Sequence, residues 1–69
     1  MTSTKQVGRS IRIARLERGQ SPEQFGANVG ITGQTIRRLE RGQQKRLRPR
    51  TMFLLANEVG VPVRELFDL

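Results

Sequence analysis

The chain has 69 residues, enough for one small hydrophobic core and too few to enclose a catalytic cleft within it. Thirteen Lys and Arg against six Asp and Glu leave a net charge of +7, which favours a polyanionic partner, either nucleic acid or an acidic membrane surface. Cysteine and histidine are absent, which excludes disulfides, thiolate and imidazole chemistry and the usual zinc ligand sets; no metal and no cofactor is expected, and packing must hold the fold.

Turn residues divide the chain into five predicted helices. The first runs from about Lys5 to Arg18, with Val7, Ile11, Ala14 and Arg15 on one face and Gly19 placed to end it. The second opens at Ser21-Pro22-Glu23: a side-chain cap, proline at the first helical position and an acid near the positive helix end, with Gly30 as its stop. Thr32 caps a third helix through about Arg41, terminated by Gly42. A fourth, from about Pro49 to Val59, carries Met52, Phe53, Leu55, Ala56 and Val59 at helical spacing, and a short fifth runs from Pro62 to about Phe67. No strand pattern survives, so the fold class is all-α, one domain over residues 1–69. No apolar run approaches the roughly 20 residues that span a bilayer. The opening MTSTKQVGRS lacks the apolar stretch of a signal peptide, and a cytoplasmic protein is expected.

So short a bend between the second and third helices fixes them at a steep angle, which is helix-turn-helix geometry. On the third helix, Thr32, Gly33, Ile36, Leu39 and Glu40 share the inward arc and Gln34, Thr35, Arg37, Arg38 and Arg41 the outward one. Every outward residue is polar, and Gln and Arg can hydrogen-bond adenine and guanine edges in a two-pronged way in the major groove. Charge points the same way: Arg37 to Arg50 holds seven bases against the one acid Glu40, +6 of the total +7. Crowding like charge costs self-repulsion that phosphate binding relieves, so Arg41, Lys45, Arg46, Arg48 and Arg50 are the candidate phosphate grips, with Arg9 and Arg12 as a second contact. A carboxylate on the inward arc is costly to bury alone; Arg15, on the inward face of the first helix, is the available partner for Glu40.

The stretch VGRSIRIARLERGQSPEQFGANVGITGQTIRRLERG, followed by LLANEVGVPVRELF, resembles the DNA-binding domains of phage repressors and Cro proteins, the lambda-repressor-like or xenobiotic-response-element class. The resemblance spans Val7 to Phe67. It implies that Gly33, Gln34, Thr35, Arg37 and Arg38 sit where the family contacts bases, and that Arg15 and Glu40 sit where it often has a buried ion pair. Three departures stand out: Pro22 where many relatives have a phosphate-touching Gln, Gly33 with no side chain to read a base, and a basic loop after Gly42 about two residues longer than in compact relatives. Gln20 also replaces a usual Leu, a gap Leu16 is placed to fill.

The expected function is sequence-specific binding of double-stranded DNA at a two-fold symmetric operator, as a homodimer, repressing by promoter occlusion. The C-terminal residues Val61, Val63, Leu66, Phe67 and Leu69 are the interface candidates, with Ile13 and Leu16 placed to pack beneath them. The main alternative, an antitoxin-like protein that binds both DNA and a protein partner, would be favoured by a longer tail than the one ending at Leu69. RNA binding is disfavoured by few aromatic platforms, membrane binding by the lack of a broad apolar face on the basic helix, and catalysis by hydroxyls with no His beside them and by isolated acids at Glu23, Glu58 and Glu65.

Overall fold

Proline opens two of the helices and glycine follows the ends of most of them, and the elements fall between these marks. The computed structural model describes residues 4–43 and 46–67, and side chains from Val7 onward. It contains α1 (Thr4–Glu17), α2 (Pro22–Val29), α3 (Gly33–Glu40), α4 (Pro49–Val59) and α5 (Val63–Phe67), with no strand among the described residues. The all-α, five-helix architecture expected from the sequence is therefore the one observed.

Local chemistry sets the boundaries. At the start of α2, Ser21 Oγ accepts from the Gln24 backbone N–H (3.1 Å) and Gln24 Oε1 accepts from the Ser21 N–H (2.8 Å), closing a capping box. Gly30 then takes φ +75°, a conformation costly for any side chain, and lets the Ile31 N–H reach back to the Gly26 carbonyl at 2.9 Å. Thr32 Oγ1 immediately caps α3 by accepting from the Thr35 N–H at 3.1 Å. Only three residues thus separate the two helices, and every one is engaged in ending or starting a helix.

One core joins all five helices: Val7, Ile11 and Ala14 from α1, Phe25 and Val29 from α2, Ile36 and Leu39 from α3, Leu55 and Ala56 from α4, and Leu66 from α5. The residues of α1 and α3 that face each other approach closely at Gly8, where a side chain would strike the Leu39 carbonyl and lie 2.9 Å from Glu40 Cα. Arg18, at the corner after α1, reaches across to α4, donating from Nη1 to Glu58 Oε1 (2.7 Å) and from Nη2 to the Glu58 carbonyl, while its guanidinium stands over the Phe25 ring.

Several packing expectations are corrected. Phe53 is 63 % exposed, because Leu55, Ala56 and Val59 form the inward stripe of α4 and Phe53 falls about 100° beside it. Ile13 and Leu16 neither pack under α5 nor fill the space by Gln20; they stand 51 % and 56 % exposed, each two residues and about 200° past a core residue, Ile11 and Ala14 respectively. Leu66, counted with the interface candidates, is the residue α5 turns into the chain's own core, 4 % exposed, so it offers no apolar surface to a partner. Val63 and Phe67 are half-buried against the same core.

Candidate nucleic-acid interface

The outward arc of α3 is presented by a helix held at both ends. Thr32 caps its start; at its far end the N–H groups of Arg41, Gly42 and Gln43 donate to the carbonyls of Arg37, Leu39 and Arg38 (3.1, 3.0 and 2.8 Å), which pins the departing loop beside Arg38. Gln34 and Arg38 are exposed. Thr35 is half-buried and its hydroxyl is hydrogen-bonded to Thr32 Oγ1 at 3.0 Å, so much of its polar capacity serves the cap. Gly33 is buried, covered by the Glu23 carboxyl group, whose carbon would lie 2.6 Å from any added Cβ.

Arg37 is exposed but not free. Its Nη1 lies 2.6 Å from Glu23 Oε2 and its Nη2 donates to Glu23 Oε1 at 3.1 Å, so the two planar groups meet fork to fork. This contact holds the Glu23 carboxyl below the usual glutamate range, helped by Glu23's own backbone N–H. Glu23 and Glu58, expected to be isolated acids, are both engaged: Glu23 with Arg37, Glu58 with Arg18 and, at 3.4 Å, Asn28.

Behind the face, Arg15 of α1 donates from Nε to Glu40 Oε2 (2.7 Å) and from Nη2 to Glu40 Oε1 (3.0 Å), and from Nη1 to the Gln20 carbonyl (3.0 Å). The two side chains are only 14 % and 10 % exposed. The hydrogen bond to Glu40 raises the Arg15 pKa from its ordinary value although burial opposes it, so the guanidinium keeps its charge. The pair ties α1 to the last turn of α3, the helix whose outward arc is in question.

Beside it opens a polar cavity of about 300 Å³ lined by Arg12, Arg15, Pro22, Arg37, Glu40 and Arg41. It brings together candidates from two elements far apart in the sequence: Arg12 from α1, and Arg37 and Arg41 from α3 and its cap. Arg9, Arg46, Arg48 and Arg50 are exposed but do not line it. Lys45 and Leu69 lie outside the described residues. Three contributors were not singled out in the sequence: Glu23 as a partner for Arg37, Gly8 as the contact point of α1 and α3, and Gln24 in the capping box. Gln24 carried a readable signal, since a Gln three residues after a Ser cap is half of that box.

A second groove, about 210 Å³, runs between α4 and the turn into α5 and is lined by Phe53, Ala56, Asn57, Val61, Pro62 and Val63. Among the described residues no helix is long and apolar enough to cross a membrane. No curated protein and no solved structure matches the chain significantly. A family model described as helix-turn-helix matches residues 11–66, which takes in the core from Ile11 to Leu66, the capped turn and the whole of α3. The chain belongs to this helix-turn-helix family, in its Cro and repressor-like class, and is a DNA-binding transcription regulator of that type.

Proposed function

We propose that the chain, as one domain, is a sequence-specific repressor that lays α3 in the major groove and blocks a promoter by occupying it. The observation that carries this reading is the pairing of exposed Gln34 and Arg38 on the outward arc of α3 with the arginine-lined cavity at its flank. Gln34 and Arg38 are suited to adenine and guanine edges, which specify, and Arg12 and Arg41 to a phosphate, which positions. Arg9, Arg46, Arg48 and Arg50 extend the phosphate grip. Gly33 and Thr35 serve differently from side chains that read bases: one admits Glu23 against the helix, and the other braces the cap. The Arg15–Glu40 pair sets the angle at which α3 leaves the protein.

A molecule of 28 × 22 × 20 Å is shorter than one turn of duplex, roughly 34 Å, so one copy covers few base pairs. Two copies on a two-fold operator answer that need. Val61 and Val63, beside exposed Phe53, are the apolar surface for such a dimer. Selection of binding sites from random duplexes tests the whole reading, with an inverted repeat of adenine- and guanine-containing half-sites about one turn apart as the expected product. Recovery of no preferred sequence would refute base reading, and a single unrepeated half-site would refute the dimer.

A further inference from the structure

The Glu23–Arg37 pair is oddly placed for a stabilising contact. Both side chains are about half exposed, at 59 % and 46 %, and surface ion pairs of that kind contribute little to folding. Yet the pair is built with care. Glu23 comes from the first turn of α2 and lies across the first residue of α3, in the space that Gly33 leaves by having no side chain; any Cβ there would collide with the carboxylate. Arg37 stands one turn further along α3 and closes both terminal nitrogens on the same carboxylate. A carboxylate on this surface repels phosphates, and it occupies Arg37, which borders the cavity beside Arg12 and Arg41.

We propose that Glu23 is a specificity-determining residue that acts through Arg37, withholding its charge from the phosphate backbone so that it adds little to sequence-independent binding. The proposal rests on the DNA-binding reading above and deepens it. Sequence-independent affinity comes from cations that neutralise phosphates and release counterions, and an arginine already matched by a carboxylate releases none. Without Glu23, Arg37 would join Arg12 and Arg41 around one phosphate and strengthen binding to every duplex alike. With Glu23 in place the terminal nitrogens are held, while Nε–H and the outward N–H bonds remain for a base acceptor at a cognate site. The gap between operator and random DNA widens accordingly. Gly33 is the structural condition for the arrangement, since it alone gives the carboxylate its seat.

The test compares the full chain with Glu23→Gln, Gly33→Ala and the double variant Glu23→Gln/Arg37→Ala, measuring affinity for a random-sequence duplex and for the selected site across a salt series. Glu23→Gln is expected to raise random-duplex affinity about five- to tenfold near 0.1 M salt and to steepen the log-log salt slope by about one. Gly33→Ala keeps both charges but unseats the carboxylate, and is expected to shift slope and affinity in the same direction; circular dichroism confirms that each variant is folded. The double variant is expected to return to the wild-type slope, and the ratio of specific to random affinity should fall in the first two variants. An unchanged slope in Glu23→Gln, or a double variant as steep as Glu23→Gln alone, would overturn the proposal while leaving DNA binding intact. Wild-type protein with no salt-dependent affinity for duplex would overturn the DNA reading and this proposal with it.

Discussion

Gly8 and Leu39 meet so closely that the α-carbon of one helix rests on the backbone carbonyl of another: a methyl group at Gly8 would overlap the Leu39 oxygen. Alanine is the better helix former by about 1 kcal/mol, so propensity alone predicts that Gly8→Ala stabilises α1. The backbone neighbour cannot yield as a side chain would, so Gly8→Ala is expected to destabilise the protein by about 1 to 3 kcal/mol. Chemical denaturation decides it, and a midpoint equal to or above wild type would show that the helices can separate without loss.

Glu40→Gln leaves the guanidinium of Arg15 charged and largely out of water with a neutral partner. The expected cost is about 2 to 3 kcal/mol, a little less than for a fully buried pair, read as a lower thermal midpoint. Arg15→Met combined with Glu40→Leu should recover most of that stability. If the pair also orients α3, this double variant will fold well and still bind DNA more weakly; undiminished DNA affinity would confine the pair to a folding role.

Gln20 presents the opposite case. Its side-chain oxygen is buried and, among the described residues, is the one such atom with no hydrogen-bond partner. Leu16 has not moved in to cover it. Gln20→Leu is therefore expected to stabilise the protein by about 1 kcal/mol, raising the thermal midpoint by about 4 to 8 °C for a chain of this size. A fall in the midpoint would mean that the amide is satisfied in solution.

Protonation of Glu23 should follow its contact with Arg37. Its pKa in the folded protein is lowered, so the pair's contribution is present above the ordinary glutamate pKa and fades as pH falls through the lowered folded value. The carboxyl carbon of Glu23, followed by NMR from neutral pH downward, should titrate below the ordinary glutamate value. In Arg37→Ala the midpoint should rise toward the ordinary range, and an unmoved midpoint would mean the fork does not persist in solution.

Arg38→Ala probes base reading directly. Its loss should weaken operator binding by about 1 to 3 kcal/mol and relax preference at one position, with a much smaller effect on random DNA. Equal losses on both would assign Arg38 to the phosphates.

The helix boundaries were legible because each is written in local chemistry: Ser21 and Thr32 as caps, Pro22 and Pro49 at first helical positions, Gly30 in a left-handed turn. The partnership of Arg15 with Glu40 could also be anticipated, since an inward carboxylate leaves few choices of partner. What lay beyond the sequence were relationships across the packed interior. Nothing local distinguishes Leu66, turned fully inward, from Val63 and Phe67, left half-buried, because a helix as short as α5 shows too few residues to fix its rotation. The same holds for Glu23, whose meeting with Arg37 depends on the space above Gly33 rather than on spacing along either helix.

Arg18 has one more consequence. By gripping both the side chain and the main-chain oxygen of Glu58, it fastens the corner before α2 to the final turn of α4, across 40 positions of sequence. The final turn of α4 therefore leaves the core only by releasing this grip. Detachment of that turn frees the α1–α2 corner as well, so amide protons at the end of α4 and at the corner are expected to exchange with solvent together.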